Sequence, residues 1–149
     1  MLGAAKRGHE MKETGLLNIE ISDAIAHLGH MDELIICDAG FPIPMGIRTI
    51  DISLKVNQPT TLEVLTEILK HFSVEKIVLA EEAQKHSPTM YALLTGLFDK
   101  SVAVETMPHA DFKQRSRGVK AIVRTGDFTA FSNILLVSGA GPRWFIEKE

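Results

Sequence analysis

Apolar residues follow two patterns along this chain. Short unbroken runs that end on a charge, such as Leu34-Ile35-Ile36-Cys37-Asp38, suit strands buried on both faces, and apolar residues spaced by three and four suit helices with one covered side. The first pattern predicts strands at Glu33 to Asp38, Val74 to Glu82, Ser101 to Met107, Val119 to Arg124 and Asn133 to Val137. The second predicts a helix over Ser22 to Gly29, with Ser22 capping its free N–H groups and Gly29 as the left-handed terminator. Thr60-Thr61-Leu62-Glu63 has the spacing of a capping box and starts a helix through about Phe72, with Leu62, Leu65, Ile68 and Leu69 on one face. Ser87-Pro88 opens another helix through Tyr91, Leu94 and Phe98, and Pro108 starts a short helix or turn carrying His109 and Phe112. Ala39 to Pro44 has to be a loop, because Pro42 and Pro44 remove donors and restrict the residues before them.

Strands alternating with helices through short connections predict an α/β domain, a three-layer α/β/α sandwich around a mainly parallel sheet. Ligands of such sheets gather beyond the carboxyl ends of the strands. Asp38, Glu81, Glu82, Arg124 and the Gly126-Asp127 turn all fall there, as ligand groups or as caps for neighbouring helices.

Composition narrows the function classes. The 149 residues, 45% hydrophobic and 23% charged, fit one globular domain over residues 11–149, with residues 1–10 read as an N-terminal extension, either a cloning scar or a misassigned start. No apolar run approaches the roughly 18–20 residues that cross a bilayer, so no membrane partner is expected. A net charge of −3 opposes nucleic-acid binding, and the basic cluster Lys113, Arg115, Arg117 and Lys120 reads as a solvated helix end. Cys37 stands alone in an apolar run, which predicts a buried hydrophobe, no internal disulfide and a reducing, cytoplasmic location.

The chemistry has few candidates. His27 and His30 are separated by the predicted helix end, and HExxH and paired CxxC are both absent, so no metal is expected. Phosphate-loop, dinucleotide and serine-elbow patterns are also missing, and no cofactor is expected. What remains is His30 beyond a helix end and Asp38 at a strand tip beside a stiff proline loop. A histidine can exchange protons near neutrality and an aspartate can orient it or grip hydroxyls, but a histidine there can equally be interacting with the helix dipole.

The stretch Leu17 to Pro44, LNIEISDAIAHLGHMDELIICDAGFPIP, resembles the N-terminal signature of the D-ribose pyranases and the related fucose mutarotases. The resemblance continues in order through Ile50-Asp51, LAEEAQKHSP at Leu79 to Pro88, His109 to Lys113, AIVRTGD at Ala121 to Asp127 and Ser132 to Leu136. The CDAGFPIP form is similar to the ribose branch. The resemblance implies interconversion of the β-pyranose and β-furanose forms of D-ribose, supplying ribokinase, without metal or cofactor. It implies His30 as catalytic proton donor, and Asp38, His109 and the segment Phe131, Ser132 and Asn133 as substrate-binding residues. It also implies a homodecamer of two pentameric rings with sites at subunit boundaries.

Two departures stand out. Phe131 occupies the place of a tyrosine, and the C-terminal GPRWFIEKE is longer and bulkier than the family pattern. Trp144, Phe145 and Phe41 are apolar groups suited to an interface or to local packing. The alternatives to a ribose isomerase are a mutarotase for fucose or another aldose and a non-catalytic sugar-binding accessory of ribose transport.

Overall fold

The computed structural model describes residues 10–147, and the expectation about the N-terminal extension lies, apart from Glu10, outside the described residues. The elements in chain order are α1 (Ile19–Ala26), β1 (Glu33–Cys37), β2 (Arg48–Asp51), α2 (Thr61–Ile68), β3 (Val74–Ala80), α3 (Glu81–His86), α4 (Pro88–Thr95), β4 (Ala103–Met107), α5 (His109–Arg115), β5 (Ala121–Arg124) and β6 (Ile134–Ser138). The strands form one six-stranded sheet in the order β2-β5-β1-β6-β3-β4.

Alternation along the strands builds the two faces. Leu34 and Ile36 of β1 join Leu136 of β6 and Ile77 of β3 in a core closed by Ile21 of α1, Leu65 and Ile68 of α2 and Leu94 of α4. Ile35 and Cys37 point the other way and pack with Val78, Leu135 and Phe112 of α5. This is the three-layer sandwich that the sequence predicts. Cys37 has no solvent exposure, and burial pushes its thiol up to about 12.

β1, β2 and β5 pair in parallel, as do β3 and β4, but β6 runs antiparallel to both β1 and β3. The connection from β5 to β6, residues 125–133, contains no helix. A parallel return needs a crossover of about a dozen residues or more, so this shorter link sends β6 back the other way. Its first residues therefore lie at the edge where β1, β3 and β5 end.

Local signals were realised unevenly. Thr60 and Glu63 make the capping box on α2, the Thr60 hydroxyl accepting the Glu63 N–H at 3.2 Å and the Glu63 carboxylate accepting the Thr60 N–H at 3.0 Å. Helix α1 begins earlier than predicted, capped by Asn18, whose Oδ1 accepts the Ile21 N–H at 2.8 Å. This start turns Ile21 and Ala24 into the core. Gly29 is not the left-handed residue; Met31 is, at φ 73°. Glu81 and Glu82 open helix α3 rather than closing β3, and α2 ends at Ile68. Phe41 is buried against Phe112, which makes it core rather than interface. Trp144, Phe145 and Ile146 are 77%, 85% and 93% exposed. Among the described residues, no helix is long and apolar enough to cross a membrane.

Candidate active site

The edge at which β1 and β5 end and β6 begins gathers most of the predicted site. Asp38 follows directly on β1, and its backbone N–H donates to Oδ1 of Asn133 at 2.8 Å. That bond engages the amide oxygen of Asn133, whose NH2 makes no hydrogen bond among the described residues. The Asp38 carboxylate turns back to accept the Gly40 N–H at 3.0 Å, which fixes its direction. Arg124 holds the same loop, donating from Nε and Nη2 to the Ala39 carbonyl and from Nη1 to Asp51 and Ser53. Burial raises the Asp38 carboxyl above its usual range, against the Gly40 hydrogen bond, and the nearby Asp127 raises it further.

His109 opens α5 beside this group. Its ring lies edge-on to Phe41 at 6.1 Å and to Phe131 at 5.1 Å, and parallel to Phe112 at 6.4 Å. Nδ1 is buried without a hydrogen bond. Burial holds the imidazole below the usual histidine range; Lys113 pushes the same way, while Glu82 and Asp38 push up. His109 is therefore an uncharged imidazole at neutral pH, able to accept a proton.

Phe131 packs between His109 and His86, whose ring is stacked at 6.0 Å. Its φ of 63° is a conformation that a phenylalanine rarely adopts. The surroundings enforce it: Asn133 N–H donates to the Phe131 carbonyl at 2.8 Å, and the Ser87 hydroxyl donates to the Ala130 carbonyl at 2.8 Å. Ser132 is fully buried, and its hydroxyl donates to Asp127 at 3.3 Å. Its side chain thus supports the loop. Asp127 is the hub, accepting the Thr61 N–H of α2 at 2.9 Å and the Thr129 N–H at 2.8 Å as well. A cleft of about 380 Å³ opens between Asp38, Arg124 and the loop carrying Asp127 and Phe128. Its size is at the lower end for small-molecule sites.

His30 is elsewhere. It occupies a tight turn in which Gly29 N–H donates to the Asp32 carboxylate at 2.7 Å and Met31 N–H donates to the Ser138 carbonyl at 2.8 Å. This pins it to the end of β6, at the opposite edge of the sheet from Asp38. With all five residues of β1 between them, each rising about 3.3 Å, His30 and Asp38 of one chain lie roughly 15–20 Å apart. The His30 imidazole is 64% exposed and meets Glu75 at 3.4 Å. One chain thus unites Asp38, His109, Phe131 and Asn133 and leaves His30 outside.

Two groups here carry no readable signal in the sequence. Glu75 against His30 has no sequence signal, because its partner is 45 residues away. His86 beside Phe131 lies in the LAEEAQKHSP segment, but only the fold brings it to the mouth; Glu82, expected beyond a strand end, meets the start of α5 at His109. Among the described residues, no three His, Cys, Asp or Glu side chains are grouped to hold a metal.

Comparison with known proteins gives this geometry a context. A sequence profile of the RbsD / FucU transport protein family matches residues 11–141. A protein of Thermotoga petrophila named D-ribose pyranase is 46% identical over 132 residues, covering 87% of this chain and 98% of that one. The structure of Bacillus subtilis RbsD complexed with D-ribose superposes with a TM-score of 0.83 at 35% identity, covering 87% of this chain and 98% of its own. The Streptococcus pneumoniae fucose mutarotase in complex with L-fucose has a TM-score of 0.69 at 21% identity over 84% of this chain and 94% of its own, a likeness of fold alone.

Proposed function

Because the chain belongs to the RbsD / FucU transport protein family, we propose, from that membership and the mouth just described, that it interconverts the β-pyranose and β-furanose forms of D-ribose. The activity is an isomerisation within one sugar. The observation that carries it is the convergence of a carboxylate, a free amide NH2 and an uncharged imidazole at one strand edge, in a chain 46% identical to a D-ribose pyranase.

The reaction breaks the bond between C1 and the ring oxygen, placing a proton on that oxygen and removing one from the anomeric hydroxyl. The open aldehyde recloses through a different hydroxyl, which loses its proton as the carbonyl oxygen gains one. No atom is gained or lost, and acids and bases suffice. Asp38 and the Asn133 NH2 grip hydroxyls of the sugar, and His109, uncharged in its aromatic setting, takes the anomeric proton. His30 donates to the ring oxygen from a neighbouring copy.

Two features support this completion by a second chain. A pentose is too small to touch both His30 and Asp38 of one chain at the separation described above. Exposed apolar side chains also flank both edges: Met31 (62%) beside His30, and Phe128 (66%) at the mouth. Contact between unlike edges is head-to-tail, and such contacts close into rings when the rotation permits. This agrees with the decamer of two pentameric rings that the family resemblance implies, and we assign the work to the cytoplasm, where the furanose would be phosphorylated.

Saturation-transfer NMR on ribose and L-fucose tests the substrate. Enzyme-dependent exchange between ribose ring forms is expected to exceed any effect on fucose; equal or greater exchange with fucose would contradict the assignment. Phe131→Tyr is expected to tighten ribose binding by about 0.5–1.5 kcal/mol, or roughly two- to tenfold, by restoring a hydroxyl beside His109 and His86. Titration calorimetry on the two proteins measures it.

A further inference from the structure

Glu82 is the second residue of α3, and its carboxylate reaches across to α5, where Oε1 accepts the backbone N–H of His109 at 2.9 Å. Neither helix has a side-chain cap of its own: Ala80 precedes α3 and Pro108 precedes α5. The same carboxylate also accepts its own backbone N–H, so one side chain serves the starts of two helices. Those hydrogen bonds hold the carboxyl below the usual range, and it is an anion at neutral pH.

We propose that Glu82 is a positioning residue for His109, fixing the imidazole through the first turn of α5 and holding a negative charge at the start of that helix. The inference rests on the reading of His109 as the base of the site. His109 has little freedom once α5 is anchored, because Phe41, Phe112 and Phe131 surround its ring. The charged groups facing it are Lys113 on its own helix, Asp38 at the end of β1 and Glu82 on α3, with His86 at the far end of α3 beyond Phe131. Burial and Lys113 lower its proton affinity; Glu82 and Asp38 oppose them. A cap alone would need only an acceptor, which glutamine supplies. The negative charge does something more: it favours the imidazolium formed when His109 takes a proton.

Glu82→Gln separates the two roles, since it keeps an acceptor for the His109 N–H and removes the charge. A base works when neutral, so the rate falls as pH drops through the His109 titration. Removing Glu82's charge lowers that titration, so the acid limb of the pH–rate profile moves to lower pH. On that limb, Glu82→Gln should retain about twofold or more of its plateau rate compared with wild type, and the His109 ring signals should titrate at correspondingly lower pH. Glu81→Gln, one residue earlier, is expected to leave the limb in place. A limb and an NMR titration that stay at the wild-type positions in Glu82→Gln would overturn the proposal, leaving Glu82 as a cap only. His109→Gln tests the underlying reading separately: wild-type exchange in that variant would refute His109 as the base, whatever Glu82→Gln does.

Discussion

His30→Ala is expected to slow ribose ring exchange above the uncatalysed background by about 10²–10⁴-fold, the span typical of a lost general acid. The fold should not notice. The imidazole is 64% exposed and its one side-chain partner among the described residues is Glu75 at 3.4 Å, so the variant should melt at the wild-type temperature and still bind ribose through Asp38 and Asn133. Saturation-transfer NMR with a thermal melt reads both quantities. Retention of the wild-type exchange rate with sugar still bound would remove His30 from the chemistry.

Asp127→Ala should produce the largest loss of stability. The side chain is 5% exposed and accepts the Thr61 N–H, the Thr129 N–H and the Ser132 hydroxyl. Thr61 and Ser132 are themselves fully buried, so the substitution strands two donors where water does not reach. Each stranded donor costs about 1–3 kcal/mol, and bonds to a charged acceptor are the stronger kind, giving a destabilisation of about 3–5 kcal/mol. For a chain of this size that corresponds to roughly 10 °C in melting temperature. Because Asp127 also sets the path to Phe131 and Asn133, ribose affinity should fall with it. A melting point within about 2 °C of wild type would contradict this role.

The fold was legible in the sequence wherever burial left a strong pattern. The run ending in Asp38 placed β1 and the carboxylate at its tip, and Thr60 with Glu63 announced α2. Elements with little to bury were missed. β2 covers one core residue, Ile50, and α3 buries only Ala83, so neither shows a readable period. The start of α1 was misplaced because Asn18 and Ser22 can both cap, and only the core decides that Ile21 and Ala24 face inward.

The site divides in the same way. Asp38 and Asn133 each sit next to a strand, but their meeting depends on β6 running antiparallel, which follows from the short connection after β5. Ser132 stands beside Asn133, and the donation of its hydroxyl to Asp127 depends on the fold of the loop, which the sequence does not show. The nearness of His30 and Asp38 in the sequence was misleading, because β1 fills the interval and carries them to opposite edges.

That separation makes a mixed assembly the most direct test of a site shared between copies. His30→Ala and Asp38→Ala chains, each with a different tag, are expressed together, purified through both tags and assayed for ribose ring exchange. Each variant alone is expected to stay near background. In a random equal mixture about one site in four draws His30 from an Asp38→Ala chain and Asp38 from a His30→Ala chain, so about a quarter of the wild-type rate should return. A mixed assembly that stays at the background of its parents would place both residues in the service of a single chain and contradict the account.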